Sequence, residues 1–301
     1  MVNNQYQKQV ELLLLVLPEV AMIDAFALHG GTAINLFIRD LPRLSVDIDL
    51  TYVPIQDRET TLAEVARLLE GLERSLMKRF PRLRINNQRS KGKLIITQGR
   101  TQIKIEVNLV KRGCLTPPQR QLLCQKATSQ FKAFVAVPMV PFGQVYGGKV
   151  CAALDRQHPR DLFDVKQLLA NEGITEPIKE GFLLYLLSAS RPIHELLNPS
   201  FKDQSKAFEN QFKGMTLEPF SYQEFEETRE LLVQEIHQSL TEADKQLIAS
   251  FQRLKPCWDT VDFSHFPAIQ WKVQNLEHLR TNDPAKFAHQ GSKLEKVLMG
   301  M

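Results

Sequence analysis

The chain has 301 residues, of which 43% are hydrophobic and 24% charged, and its formal net charge is +4. That length accommodates two domains of ordinary size with a sizeable core, and the slight positive charge permits a nucleic-acid partner without demanding one. No apolar run approaches the ~20 residues needed to span a bilayer, because the longest, Leu12 to Leu17, stops at Pro18.

Helical periodicity covers Tyr6 to Leu17, with Val10, Leu13, Leu14 and Leu17 on one side. Phe26-Ala27-Leu28-His29 then reads as a short strand or buried turn feeding a helix that Gly30-Gly31 opens. His29 has no neighbour in the sequence that would make it a metal ligand and is read as structural. Residues 43–50 are Arg-Leu-Ser-Val-Asp-Ile-Asp-Leu. Side chains alternate along a strand, so Asp47 and Asp49 point to one face while Ile48 and Leu50 point to the other. Two carboxylates therefore share a small volume. Mg²⁺ prefers such hard oxygen ligands and usually combines one or two carboxylates with substrate phosphates. A glycine pair opening a helix, followed by this strand, fits a nucleotide and metal site.

Thr61 to Met77 shows a second helical period through Leu62, Val65, Leu68, Leu69, Leu72 and Leu76. Strands follow around residues 83–87, 93–97 and 102–110, the last two joined by Gln98-Gly99-Arg100 as a hairpin. In the last run Ile103, Ile105, Val107 and Leu109 take one face and Glu106 the other, beside Lys104. Glu106 is then either a third carboxylate next to Asp47 and Asp49 or one residue of a solvated strand face. Three carboxylates could hold two metal ions about 4 Å apart.

Residues 111–144, containing Pro117-Pro118, Pro138 and Pro141, read as a connection. From residue 145 to 301 the sequence is almost entirely helical, punctuated by Gly173 and several prolines. Over residues 146–157 Lys149 and Arg156 lie seven apart on one helical face, suited to a cleft, while Val150 and Leu154 mark an apolar stripe for the core. Pro159 suits the first position of the next helix, which carries Asp161 and Asp164. Gly143 to Lys149 also fits the start of a phosphate-binding loop, but Val150 stands where a Mg²⁺-reaching hydroxyl is required, so the match is accidental. Near the end, Ile269, Val273, Leu276 and Leu279 recur at helical spacing, and Trp258, Trp271 and Phe266 either pack or offer a stacking surface for a base.

The strings Gly30-Gly31-Thr32-Ala33-Ile34-Asn35-Leu36 and Arg43-x-Ser45-x-Asp47-Ile48-Asp49-Leu50 resemble the signature of the AbiEii/AbiGii toxin family, a branch of the polymerase-β-like nucleotidyltransferases. The C-terminal stretch is similar to that family too, so the resemblance covers nearly the whole chain. It implies an α/β fold: a mixed sheet with helices at residues 1–110, then a mostly α-helical domain at 145–301, with a cleft between them. It implies NTP as substrate and Mg²⁺, two ions, as cofactor. Asp47, Asp49 and Glu106 would be catalytic and metal-binding. Gly30, Gly31, Thr32, Arg43, Ser45 and Lys149 would bind the nucleotide, and Asp161 or Asp164 would organise the site with Lys149. Family members are typically the toxin half of bacterial toxin–antitoxin pairs, and the MenT group adds nucleotides to the 3′ end of tRNA. tRNA and a cognate antitoxin are therefore the expected partners, with a protein or small-molecule acceptor, or a degenerate nucleotide-binding module, as the alternatives.

Local charge favours RNA. Lys78, Arg79, Arg82, Arg84, Arg89, Lys91, Lys93, Arg100 and Lys104 are concentrated in the first domain and could track a phosphate backbone. The cysteines at 114, 124, 151 and 257 form neither a Cys-x-x-Cys pair nor a zinc spacing. With an N-terminus that lacks the regions of a signal peptide, reduced thiols in a cytoplasmic protein, away from the membrane, are expected.

Overall fold

The computed structural model describes residues 4–301. It divides into two units, one running up to Pro141 and also taking in Phe212–Pro219, the other made of Phe142–Gln211 and Phe220–Met301.

In chain order the first unit contains α1 (Asn4–Val20), β1 (Phe26–His29), α2 (Gly30–Ala33, continued by a π turn over Ile34–Ile38), β2 (Asp47–Tyr52), α3 (Arg58–Arg79), β3 (Arg84–Gln88), β4 (Lys93–Gln98), β5 (Thr101–Asn108), β6 (Gln119–Leu122), α4 (Gln125–Phe131) and β7 (Ala136–Met139). The seven strands form one mixed sheet in the order β3-β4-β5-β2-β1-β7-β6. β2 is central, antiparallel to β1 and parallel to β5. Period-two alternation decides its faces. Ile48 and Leu50 of β2, Leu94 and Ile96 of β4, and Ile103, Ile105 and Val107 of β5 are buried. So are Leu13 and Leu17 of α1 and Val65, Leu69, Leu72 and Leu76 of α3, the two helices that pack on this part of the sheet. α3 starts at Asp57, whose carboxylate accepts from the Thr60 amide at 2.9 Å. The β4–β5 hairpin closes through the two-residue turn Gly99-Arg100, with Gln98 opposite Thr101.

The segment expected to be a plain connection adds two strands to the sheet. β7 runs parallel to β1, with Leu28 opposite Met139, and β6 pairs antiparallel with β7. Both strands are four residues long, and β7 contains Pro138, which has no amide to donate. Their alternation is too short and broken to stand out in the sequence.

The second unit is helical: α5 (Phe142–Arg156), α6 (Pro159–Asn171), α7 (Glu176–Leu187), α8 (Ile193–Leu197), α9 (Ser205–Ala207), α10 (Tyr222–Ser239), α11 (Glu242–Gln252), α12 (Pro267–Asn282) and α13 (Pro284–Met299). Gly143 to Lys149 lies inside α5, so the stretch resembling a phosphate-binding loop is an ordinary helix. Its glycines serve packing. A Cβ built on Gly147 would lie 2.2 Å from the Gly181 carbonyl carbon, and one built on Gly181 would lie 2.2 Å from the Gly143 carbonyl oxygen. α5 and α7 thus touch backbone to backbone. Trp258 joins an edge-to-face series with Phe251 and Phe263, and Phe263 meets Phe266. Packing accounts for these rings, whereas Trp271 is 53% exposed. Among the described residues no helix is long and apolar enough to cross a membrane.

The α5–α7 contact leaves no room for a methyl group. Gly147→Ala should cost about 1–3 kcal/mol of stability through overpacking, measured by denaturant unfolding. An unchanged unfolding midpoint would mean that the two helices separate readily.

Candidate active site

Burial of Ile48 and Leu50 fixes the orientation of β2, and Asp47 and Asp49 accordingly occupy its half-exposed face. In the register with β5, Asp47 stands opposite Lys104 and Asp49 opposite Glu106. On the other side Asp49 stands opposite His29, the last residue of β1. Neighbouring strands lie about 4.8 Å apart, so the three carboxylates predicted from sequence are brought to one region of one sheet face.

The glycine pair meets this region directly. Gly30 has φ +72°, in the left-handed region, and a Cβ there would lie 2.7 Å from Asp49 Oδ2. The backbone conformation favours glycine, and the short distance shows how closely the turn passes the Asp49 carboxylate. A Cβ on Gly31 would lie 2.8 Å from Arg43 Nη2 and 3.0 Å from Ser45 Oγ. The turn from β1 into α2 therefore runs close against Asp49, Arg43 and Ser45. Thr32 is fully buried; its hydroxyl donates to the Asp47 carbonyl at 2.5 Å and lies 3.0 Å from Ser45 Oγ. It ties the start of α2 to the start of β2. The Asn35 amide steadies the glycine turn by donating to the Gly31 carbonyl at 2.9 Å.

Arg43 is buried, with Nη1 donating to the Leu44 carbonyl at 2.9 Å. Its strand segment is held by a distant stretch of chain. Leu44 N donates to Met215 O at 2.7 Å, Leu217 N donates to Pro42 O at 3.1 Å, and Arg43 bridges Thr216. This explains why Phe212–Pro219 belongs to the first unit. Sequence reading gave no role to that stretch, and its only signal is a pair of apolar residues, Met215 and Leu217, around Thr216.

Glu106 is gripped at both oxygens, by Lys93 Nζ at 3.0 Å and Lys104 Nζ at 2.7 Å. Partial burial pushes its carboxyl up, but the bonds from Lys104 and Lys93 outweigh this and hold it below the usual range. Burial likewise works against the Lys104 ammonium, yet its bond to Glu106 and the charges of Asp47, Glu106 and Asp49 raise its pKa. Lys104 is therefore subject to all three carboxylates. Among the described residues no three His, Cys, Asp or Glu side chains gather closely enough to hold a metal ion by themselves. The donor set fits a metal that takes the aligned pair Asp47 and Asp49 and completes its shell with phosphate oxygens.

The second unit has its own charged cluster. Lys149 Nζ lies 2.7 Å from Asp161 Oδ1 and 3.0 Å from Asp164 Oδ2, and these side chains are only 6%, 1% and 0% exposed. Arg156 Nε donates to Asp161 Oδ2 at 2.5 Å. Lys149 and Arg156 share a face, as their spacing predicts, but Lys149 is buried because that side of α5 packs against α6, which carries Asp161 and Asp164. Burial pushes the Asp161 carboxyl up, whereas the charge of Lys149 and the bond and charge of Arg156 pull it well below the usual range.

Removing one partner of a buried ion pair strands the other. Lys149→Ala should therefore lower stability by about 3–5 kcal/mol, read from denaturant unfolding at neutral pH. Asp161 has a depressed folded pKa, so its contribution is complete above the unfolded aspartate value of about 3.9 and is lost as pH falls below it. The deficit of the variant should shrink over that range. A deficit below about 1 kcal/mol at pH 7 would match an exposed pair instead.

No curated protein matches the sequence. Among solved structures the chain is similar to the nucleotidyltransferase toxin MenT4 from Mycobacterium tuberculosis H37Rv, with a TM-score of 0.62 and 15% identity over 90% of this chain and 93% of that one. At that identity the likeness establishes the α/β fold of a mixed sheet with many helices. A model of the nucleotidyl transferase AbiEii toxin family, from type IV toxin–antitoxin systems, matches residues 12–275. The match spans both units, and the chain belongs to the AbiEii nucleotidyltransferase toxin family.

Proposed function

We propose that the chain transfers an NMP from an NTP to an acceptor hydroxyl, with the 3′ end of tRNA as the acceptor and Mg²⁺ as the cofactor. The observation that carries this reading is the pair Asp47 and Asp49 on one half-exposed face, with Gly30 against Asp49 and Gly31 against Arg43 and Ser45. Asp47 and Asp49 would hold the metal, which when bound neutralises the triphosphate and activates the acceptor hydroxyl. The glycine turn lets the backbone approach the triphosphate, with Arg43 and Ser45 as phosphate partners. Thr32 acts through Ser45 and the Asp47 carbonyl, setting where the nucleotide-binding turn begins.

In the transfer the acceptor oxygen forms a bond to the α-phosphorus. The bond from that phosphorus to the bridging oxygen breaks, pyrophosphate leaves, and the hydroxyl proton passes to a carboxylate or to water. Glu106 is kept ionised by Lys93 and Lys104 and so can accept that proton or complete the metal shell. In the second unit Lys149 is held by Asp161 and Asp164, and we assign this buried cluster the part of an anchor that positions the helices around it.

RNA as acceptor is supported by the exposed cations Lys78, Arg82, Arg84, Lys91 and Arg100 of the first unit. Of their neighbours, Arg79 is paired with Glu19 and Arg89 with Glu70. Exposed lysine and arginine of this density match the phosphate contacts that make RNA binding salt-dependent. The tRNA reading places the activity in the cytoplasm, restrained there by a cognate antitoxin.

Asp47→Asn or Asp49→Asn should lower transfer by more than roughly a hundredfold with the fold intact, because the lost charge stabilises mainly the transition state. The assay is incubation with each labelled NTP, Mg²⁺ and a mixture of RNA, protein and small acceptors, followed by locating the label. Label on tRNA that disappears in either variant supports the proposal, label on protein or a small molecule moves the acceptor, and undiminished transfer by both variants removes the site. In growing bacteria the wild-type chain should arrest growth while Asp47→Asn, Asp49→Asn at equal abundance does not.

A further inference from the structure

Three carboxylates on adjacent strands repel one another unless cations intervene, and the cations are present. Lys104 stands opposite Asp47 in the β2–β5 register, and Lys93 stands opposite Glu106 in the β4–β5 register. Their ammonium groups take one oxygen of Glu106 each, at 2.7 Å and 3.0 Å. Both side chains are about one-third exposed, at 31% for Lys93 and 37% for Lys104, so each can turn away without opening the core. Lys104 also lies within the electrostatic influence of Asp47 and Asp49. The sheet face thus carries its own counterions.

We infer that Lys104, assisted by Lys93, acts as a resident counterion that keeps the affinity of this face for free divalent metal low and makes metal binding depend on nucleotide. A metal arriving alone must compete with an ammonium for Glu106 and meets a field already partly neutralised. A metal arriving with a triphosphate brings anionic oxygens that give the displaced ammonium a new partner. Metal and nucleotide then strengthen each other's binding by the same factor. Lys104 and Lys93 are positioning residues in this scheme, acting through the carboxylates. The inference rests on the metal reading of Asp47 and Asp49.

The test is Mn²⁺ binding to the full chain, followed by electron paramagnetic resonance with and without a non-hydrolysable NTP, so the readout is independent of turnover. Lys104→Met and Lys104→Gln should bind Mn²⁺ without nucleotide at least tenfold more tightly than the wild type, a change of about 1.4 kcal/mol. The gain in Mn²⁺ affinity on adding nucleotide should shrink correspondingly, while Lys104→Arg, which keeps the charge, should behave as the wild type. Lys93→Met should shift affinity in the same direction, which covers the case in which a Lys104 variant misfolds. If these variants bind Mn²⁺ no more tightly than the wild type, and binding is still lost in Asp47→Asn, the counterion role is overturned and the metal site stands. If no protein shows Asp47-dependent Mn²⁺ binding even with nucleotide, both readings fall.

Discussion

The strict alternation of β2 is the constraint on which the first unit depends. Ile48 and Leu50 are buried under the helices, and a slip of one residue would exchange them for Asp47 and Asp49. Such a slip would bury two carboxylates, a cost far above the few kcal/mol that separate folded from unfolded chains. Hydrophobic burial therefore fixes the site. Once β2 is oriented, its pairing with β5 sets Glu106 beside Asp49, and its pairing with β1 delivers the Gly30-Gly31 turn to the same end. Thr32 closes the arrangement from below by bonding the Asp47 carbonyl.

Charge is handled differently in the two units. Around Asp47, Asp49 and Glu106 the charged groups are half-exposed and their lysine partners reach solvent. Rearrangement there is cheap, as exposed pairs contribute about 0–1 kcal/mol. Around Lys149 the side chains are buried and mutually satisfied, so displacement of any member leaves an uncompensated charge. The first arrangement suits a place where ligands come and go, the second a fixed anchor. The same contrast separates Lys179, buried between Glu176 and Asp244, from the exposed cations of α3 and β3.

Much of the first unit was legible in the sequence because its signals are local. The strand bearing Asp47 and Asp49, the hairpin leading to Glu106, and the glycine turn each lie within a few residues and follow period-two or turn chemistry. What could not be read is set by pairing across strands or across long stretches of chain. That Lys93 and Lys104 hold Glu106 depends on cross-strand register, and that Met215 and Leu217 support the Arg43 segment depends on contacts far apart in sequence. The burial of Lys149 was missed because its helical position beside Arg156 reads as a polar face, whereas α6 brings Asp161 and Asp164 against that side. β6 and β7 were read as a connection because four residues interrupted by a proline carry almost no alternation.

On the proposed reading, Asp47 and Asp49 hold the metal that accompanies the nucleotide. The most direct measurement is a crystal of the protein grown with Mn²⁺ and a non-hydrolysable NTP, with the anomalous signal used to locate manganese. Expected is manganese bonded to Asp47 and Asp49, with the triphosphate along the Gly30-Gly31 turn. Manganese and triphosphate bound together elsewhere, with these two carboxylates uninvolved, would contradict it.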